Sequence, residues 1–271
     1  SRLYRGQGLG VFADVTNQAG VYRAEGKALG VVALDYDQDG WPDLAVARDT
    51  EPDALLHSNG DGTFTEEGIV MGIAFDAQGK ATAGMGIDAA DIHHDGSVSI
   101  AVGNFSNEAT GLFTGSAAAY FRDEARSSGA AASSLTRLTF GLFLFDVDLD
   151  GVIDLFSANG HIEPRVGEYQ QATTYAQTPT LLRGRPGGMF EDVSTLSGLV
   201  EAGVGRGAAY GDYDGDGDLD VLVSNNGVMP GRGAPWLLRN DGPTGAWLRV
   251  ATDGVGANRD GIGAVVSVTV A

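Results

Sequence analysis

The sequence predicts an all-β fold, a β-propeller of four-stranded antiparallel blades, and three observations support that prediction. A nine-residue pattern, D-x-D-x-D-G-x-x-D, recurs along the chain. Short apolar segments flank each copy, and glycine, the residue of tight turns, makes up 42 of the 271 residues. Tandem units of short strands and turns are typical of propeller blades. A β-sandwich with Asp-rich loops is the alternative, and the regular spacing of the pattern favours the propeller.

The pattern is complete in three copies and degenerate in a fourth. The complete copies are "DYDQDGWPD" (35–43), "DVDLDGVID" (146–154) and "DYDGDGDLD" (212–220), and the degenerate copy is "DIHHDGSVS" (91–99). The first aspartates of successive copies are separated by 56, 55 and 66 residues. A unit of this length has room for four short strands and their turns.

The segments around each copy supply the strands of a blade. A first strand precedes the pattern and a second follows it, at 29–34, 82–87, 138–145 and 205–211 and at 44–48, 100–104, 155–159 and 221–225. A third strand with a turn covers 54–62, 111–115, 180–188 and 236–242, and a fourth with an aromatic residue covers 63–67, 120–124 and 189–194. Residues 2–16 match the last two strands of a further blade. We therefore count about four and a half blades, and expect either that they are part of a larger propeller or that the termini pair to close a ring.

Composition and charge limit the partners. The formal net charge of -19 disfavours nucleic acid, whose phosphates require a basic surface. The chain has no cysteine, which excludes disulfides and thiolate chemistry. No apolar run approaches the roughly 20 residues of a membrane-spanning helix, so no transmembrane segment is expected. The acidity fits either cation binding or a solvated surface, and the positions of the aspartates favour cation binding.

We interpret each complete copy as a Ca²⁺ site. Carboxylates at positions one, three, five and nine and the backbone carbonyl of position seven supply hard oxygen ligands, and the glycine at position six permits a sharp turn. Mg²⁺ demands stricter geometry, and zinc prefers His or Cys. Metal-free aspartate turns are the alternative. Site one comprises Asp35, Asp37, Asp39, Trp41 and Asp43; site three comprises Asp146, Asp148, Asp150, Val152 and Asp154; and site four comprises Asp212, Asp214, Asp216, Asp218 and Asp220.

The degenerate copy keeps only part of the ligand set. Asp91 and Asp95 remain, but His93 stands at position three and Ser99 at position nine. We therefore expect weak calcium binding or none there, and about three calcium ions in the chain. His93 and His94 also offer donors for a transition metal with Asp91 and Asp95, although a solvated turn is the favoured interpretation.

The expected role of the calcium ions is to stabilise the hairpin of each blade. A ligand at 100 times its dissociation constant stabilises the folded state by about 2.7 kcal/mol per site. Extracellular calcium modules often bind with dissociation constants of about 10⁻⁴–10⁻³ M. Because such sites fill only where calcium is plentiful, the sequence predicts an extracytoplasmic location, periplasmic or secreted.

Several segments resemble a known family. The aspartate repeats with "LLHSNGDGTF" (55–64) and "GMFEDVS" (188–194) resemble FG-GAP/VCBS repeats, and the segments 145–164, 203–227 and 236–240 resemble the cartilage acidic protein family. Residues 246–271, with "NRDGIGA" (258–264), are similar to the start of the ASPIC/UnbV module, so the resemblance divides the chain into propeller blades at 1–245 and that segment. The resemblance implies an exported, calcium-binding propeller of seven or eight blades, a binding or adhesion module with no catalytic residue to assign.

The leading hypothesis is a non-enzymatic calcium-binding propeller that binds proteins or surface glycans, either alone or as an accessory subunit of a larger extracytoplasmic or membrane-associated assembly. A calcium-dependent enzyme acting on polysaccharide is the alternative, with His161 and Glu163 of "NGHIEP" as an acid–base pair. The other interpretation of these two residues is structural: they pin the loop between two strands in place. A structural spacer is the third hypothesis. Residues 164–179 are the candidate partner surface, and 127–134 are expected to be a flexible linker.

Overall fold

The computed structural model describes residues 1–24, 26–116, 119–227, 233–242, 248, 250–254, 261, 264 and 266–268. Most of the segment 246–271, including five of the seven residues of the motif at 258–264, lies outside the described residues, so its predicted module stays a prediction. None of the described helices is long and apolar enough to cross a membrane.

The described strands form one two-stranded sheet and four larger antiparallel sheets. The first two strands, β1 (Tyr4–Gly8) and β2 (Val11–Asp14), pair with each other. Blade one contains β3 (Ala28–Leu34), β4 (Asp43–Arg48), β5 (Ala54–Ser58) and β6 (Phe64–Glu66), followed by the short helix α1 (Gly68–Met71). Blade two contains β7 (Gly84–Ala90), β8 (Ser99–Asn104), β9 (Gly111–Ser116) and β10 (Ala119–Asp123), followed by α2 (Ala125–Ser128) and α3 (Ala130–Ser134).

Blades three and four continue the same order. Blade three contains β11 (Thr139–Phe145), β12 (Asp154–Asn159), β13 (Thr180–Arg185) and β14 (Met189–Asp192), with a 3₁₀ turn at Val166–Glu168 between its second and third strands. Blade four contains β15 (Gly205–Gly211), β16 (Asp220–Asn225) and β17 (Trp236–Leu238), three strands among the described residues. Consecutive strands are neighbours in each sheet, and successive first strands pack together, β3 on β7, β7 on β11 and β11 on β15. The all-β propeller prediction is confirmed.

Glycines allow the first strands of neighbouring blades to approach closely. A Cβ atom added at Gly30 would lie 2.4 Å from a carbonyl oxygen of β7, and one at Gly86 would lie 2.3 Å from a carbonyl oxygen of β11. At Gly141 the added atom would lie 2.8 Å from a carbonyl oxygen of β15. Each glycine lies where the pairing of its strand shifts register. The repeated glycine therefore marks backbone contact between blades.

The hydrophobic core lies between the blades rather than at one centre. Leu55 of blade one packs with Ile100 of blade two, and Leu112 of blade two packs in a cluster with Leu155 of blade three. Between blades three and four, a cluster around Phe156 includes the valines of β16. The sheets of blades two and three thus bury both faces against their neighbours, and their second strands are buried along their whole length.

Apolar side chains stay exposed on the faces at the two ends of the row of blades. On β3, Leu29 and Val31 are 57% and 62% exposed, and in blade four Leu222 and Leu237 are 50% and 46% exposed. Further blades or ring closure would cover such faces. The expectation of a larger or closed propeller stays a prediction.

The structure differs from the sequence-based expectations in blade two and in the segment that follows it. The first strand of blade two runs to Ala90, beyond the expected end at 87, because the Asp88 carboxylate that interrupts the apolar run accepts the N–H of Leu144 at 2.8 Å. The segment 127–134 is not a flexible linker. It forms most of α2 and α3, with Ala130 fully buried and the Ser134 hydroxyl accepting the N–H of Thr110 at 2.9 Å. Its small side chains serve close packing against blade three.

The insertion at 164–179 is anchored by buried residues. Val166 is fully buried, and Gln177 accepts the N–H of Leu138 at 2.9 Å while donating to the carbonyl oxygen of Thr174 at 3.0 Å. Tyr169 is 62% exposed. The segment therefore presents its outer side chains from a fixed base, and its role as a partner surface stays a prediction.

Candidate metal centres

The four aspartate loops lie at one edge of the propeller, because each joins the first strand of its blade to the second. The aspartate at position nine begins the second strand in three of them. Asp43 and Asp154 are fully buried, and Asp220 is nearly so. Asp154 accepts the N–H of Val147 at 2.8 Å and that of Gly184 on the third strand at 2.7 Å.

Asp43 and Asp220 repeat this arrangement. Each accepts one N–H from position two of its own loop. The second N–H comes from Ser58 in β5 for Asp43, and from Asn240, just beyond the end of β17, for Asp220. Position nine therefore joins the loop to the third strand or to the residues just after it, through hydrogen bonds that need no cation. Oxygen lone pairs beyond those used by the N–H groups remain for a metal.

The carboxylate at position one shapes the turn. Asp146 accepts the N–H groups of Asp150 at 3.1 Å and of Gly151 at 2.9 Å, and Asp35 accepts that of Gly40 at 3.0 Å. Gly40 and Gly151 have φ of 86° in both cases, the left-handed region that glycine enters most readily. The structure thus confirms the sharp turn that the glycine at position six predicts.

In sites three and four the carboxylates at positions one, three and nine converge. At least one oxygen of each lies within 4.8 Å of the others, for the sets Asp146, Asp148 and Asp154 and Asp212, Asp214 and Asp220. Site one is divided. Asp35, Asp37 and Asp39 form one group, whereas Asp37 also forms a second group with Asp43 and His57.

Several carboxylate oxygens at these loops are buried with no hydrogen-bond partner. They are Oδ1 of Asp35, Oδ1 of Asp148 and both oxygens of Asp218. A buried acceptor without a partner costs about 1–3 kcal/mol, more when charged. A bound cation would satisfy these oxygens, and a set made of carboxylates suits a hard ion. The residues therefore fit calcium.

The residues at position seven lie close to the predicted sites, and their carbonyl ligation stays a prediction. The backbone N–H groups of Trp41 and Val152 donate to the position-five carboxylates of their loops at 2.8 and 2.9 Å. The N–H of Asp218 donates to Asp216 at 3.2 Å, and the Asp218 side chain is only 2% exposed. Asp218 thus brings a fifth carboxylate to site four.

Burial and mutual repulsion raise the pKa values of several of these acids. Burial raises the pKa of Asp154 to about 6, against the effect of its backbone hydrogen bonds. Burial also raises the pKa of Asp146, and the neighbouring Asp150 and Asp148 add to the shift. For Asp218, burial and then the adjacent Asp216 raise the pKa. Each shift shows that negative charge at these loops is costly without a counter-ion.

In the degenerate loop, the carboxylates accept hydrogen bonds from groups of the loop itself. Asp91 accepts the N–H of Gly96 at 2.8 Å, and Asp95 accepts both the N–H and the hydroxyl of Ser97. Within the part of the chain that the structure describes, no group of three ligand atoms converges at this loop. The expectation of weak calcium binding or none at this loop stays a prediction.

Sequence reasoning missed a basic residue that faces each complete loop from the third strand or just beyond its end. His57 in β5, Arg183 in β13 and Arg239 just after β17 each precede the residue whose N–H bonds to position nine. Arg183 pairs with Asp148 and, at 3.1 Å, with Asp150. Arg239 lies 3.8 Å from Asp214 and 2.7 Å from Asp241. The signal was present in "LLHSN", "LLRGR" and "LLRND", once the copies are aligned on these N–H groups.

His161, the candidate catalytic base, lies away from these loops, beyond the far end of β12. It is 1% exposed, its Nδ1 accepts the N–H of Glu163 at 3.0 Å, and its Nε2 lies 3.2 Å from the hydroxyl of Ser106. The Glu163 side chain instead accepts the N–H of Arg165. Burial lowers the pKa of His161, and a ring whose Nδ1 accepts an N–H carries its proton on Nε2. This geometry agrees with pinning of the loop.

Antiparallel blades, three of them with four described strands and one with three, carry acidic hairpins at one edge. They define the class of protein: a β-propeller with acidic hairpin loops. The model of the family described as FG-GAP-like repeat matches residues 35–102 and 146–223, more than half of the chain. The chain belongs to the FG-GAP-like repeat family, as its sequence motifs predict.

Relatives of known name extend this assignment. Cartilage acidic protein 1 of Homo sapiens is 26% identical over 246 residues, and that of Mus musculus is 25% identical over 249 residues. Each match covers 90% of this chain and 35% of the relative, so the chain spans about a third of the length of these proteins. Among solved structures, a GH43 beta-xylosidase/alpha-arabinofuranosidase from a compost microbial metagenome, in complex with xylotriose and in a calcium-free form, has a TM-score of 0.40. It is 14% identical, and the match covers 77% of either chain.

Proposed function

We propose that this protein is a non-enzymatic, calcium-stabilised propeller that binds proteins or surface glycans outside the cytoplasm, alone or as an accessory subunit of a larger assembly. One observation carries the proposal: three loops at one edge of the propeller direct carboxylates toward one another, with buried oxygens that lack partners. A calcium ion at each loop would hold the hairpin and neutralise much of the local charge. The cations would in this way set the shape and charge of that edge as a binding surface.

The named relatives support a binding role. These proteins are named for cartilage and acidity rather than for a reaction. The polysaccharide-enzyme alternative receives no support from His161, whose ring accepts a backbone N–H and is buried. We therefore retain the binding function alone. An ASPIC/UnbV-like module at 246–271 is part of this proposal.

Binding to arrayed extracellular proteins and glycans, with calcium and with excess chelator, tests the proposal. A triple variant with Asp37→Asn, Asp148→Asn and Asp214→Asn removes the position-three carboxylate from each site. All assays are run below the melting temperature of the calcium-free chain, so that unfolding is not mistaken for loss of the surface. We expect a partner that is retained with calcium and lost both with chelator and in the variant. Equal binding in all three conditions would contradict a calcium-dependent surface.

A further inference from the structure

The acidic loops of blades one, three and four are faced by three basic residues that differ in what they offer a metal. Arg183 and Arg239 carry guanidinium groups, which donate hydrogen bonds and cannot ligate a cation. His57 occupies the matching place in blade one, and an imidazole nitrogen is a metal ligand. Site one is thus the loop, among the described residues, where a nitrogen donor joins the carboxylates.

The geometry around His57 suits a small divalent ion. Its Nδ1 lies 3.4 Å from Oδ2 of Asp37 and 3.4 Å from Oδ1 of Asp43. In a tetrahedral site with metal–ligand distances of about 2.0–2.2 Å, neighbouring ligand atoms stand about 3.3–3.6 Å apart. The two separations at His57 fall in that interval. They are also long for a hydrogen bond between nitrogen and oxygen, for which about 2.7–3.2 Å is usual.

The nitrogen that faces the carboxylates is itself unsatisfied. The Nδ1 atom of His57 is buried and has no hydrogen-bond partner. The ring is held edge-on against Tyr36, with ring centres 6.0 Å apart, and the Tyr36 hydroxyl donates to Glu67 at 2.8 Å. Asp43 is fixed by its two backbone hydrogen bonds. Two of the three donors therefore have positions set by surrounding contacts.

We propose that site one binds a divalent transition ion of the zinc class through His57 Nδ1, Asp37 and Asp43. The inference deepens the proposed function, because this ion would replace calcium at one of the three loops. Carboxylate oxygens alone favour calcium, whereas an added imidazole nitrogen favours Zn²⁺, Co²⁺ or Ni²⁺. The fourth position of a tetrahedron would be open to solvent, since the His57 side chain keeps 23% of its surface exposed.

Co²⁺ titration of the chelator-treated, untagged full chain tests the proposal, since tetrahedral Co²⁺ absorbs visible light strongly. We expect a visible band that saturates at one equivalent, is abolished by one equivalent of Zn²⁺ and persists with one equivalent of Ca²⁺. His57→Arg, which installs the residue of blades three and four, should weaken Co²⁺ binding at least tenfold. His57→Phe, which keeps an aromatic ring against Tyr36, provides a second variant if the arginine disturbs folding.

The matched control is His94→Gln in the degenerate loop. Gln38 occupies the same loop position in blade one with a similar positive φ, so the substitution suits the backbone there. The control should leave the band unchanged. No band in the wild type, or an equal band in the His57 variants, would overturn the proposal and favour an imidazolium paired with two carboxylates. Calcium-dependent stabilisation of His57→Phe, supplied by sites three and four, is measured in parallel and tests the proposed function separately.

Discussion

At the scale of the residue, Asp53 is a buried carboxylate that lies outside the aspartate loops. Asp53 is 4% exposed and accepts the N–H of Arg48 at 2.7 Å. Burial raises its pKa to about 7, with the Arg48 N–H and charge opposing the shift. Because the folded-state pKa lies above the unfolded one, Asp53 costs stability progressively as the pH rises from about 4 to about 7.

Asp53→Asn should therefore raise the free energy of unfolding at pH 8, and raise it much less at pH 4.5. The amide oxygen still accepts the Arg48 N–H, while the buried charge is removed. Urea unfolding at both pH values, with calcium held constant, measures the difference, expected to be on the order of a few kcal/mol. A difference that does not change with pH would show that the carboxyl is not the source of the penalty.

The charge of Arg183 is expected to affect calcium binding at site three. It pairs with two carboxylates of site three, so calcium must displace or tolerate a guanidinium there. Arg183→Met should strengthen calcium binding at site three by roughly threefold to tenfold, as expected for loss of a partly exposed ion pair. Calorimetric titration measures the affinity.

Arg185 provides the control on the same strand, because its partner is Glu191, outside the loop. Arg185→Met should leave calcium affinity unchanged. Weaker calcium binding in Arg183→Met would mean that the arginine holds the ligands in place rather than competing with the ion.

At the scale of the element, the hairpin loop and the third strand form one unit through position nine. Asp154→Ala leaves the N–H groups of Val147 and Gly184 without their acceptor. We expect a loss of roughly 2–4 kcal/mol in the free energy of unfolding even with excess chelator. Asp150→Ala, which removes a position-five carboxylate, should cost far less in chelator. Equal losses for the two variants would refute the structural role of position nine.

The second prediction at this scale concerns the glycine of the first strand, where neighbouring blades are in close contact. A Cβ at Gly86 would meet the backbone of β11 at 2.3 Å, whereas one at Gly211, in β15, would meet nothing within 4 Å. Gly86→Ala should destabilise the protein by about 2 kcal/mol or more, and Gly211→Ala should change stability by less than about 0.5 kcal/mol. Urea denaturation of both variants distinguishes a close contact between blades from a general preference for glycine. Similar effects would contradict the close contact.

The repeat allowed most elements and the loops to be predicted from sequence, because each copy supplies the same pattern of aspartates and apolar strands. What the sequence did not reveal depends on contacts across blades or between strands. The small, polar residues of α2 and α3 predict a linker, because alanine and serine are typical of flexible segments. Only the contacts with the neighbouring blade show that these helices are packed. The sequence alone does not assign His57 to the site. Its role depends on the register of β4 and β5, which places a third-strand side chain beside the loop.

At the scale of the whole molecule, repulsion among the acidic loops affects the stability of the propeller that carries them. The chain carries a formal net charge of -19, and three complete loops place many of its acids at one edge. Such crowding opposes the folded state unless cations neutralise it. The core between blades stabilises the sheets, and the cations would relieve the repulsion at their ends.

The melting temperature of the chelator-treated chain as a function of free calcium tests this account most directly. We expect the melting temperature to rise with calcium concentration, because each filled site stabilises the folded state by about 2.7 kcal/mol at 100 times its dissociation constant. The triple variant at positions 37, 148 and 214 should lose most of that rise. The same melting temperature in excess chelator and in millimolar calcium would contradict the claim that the acidic loops are calcium sites.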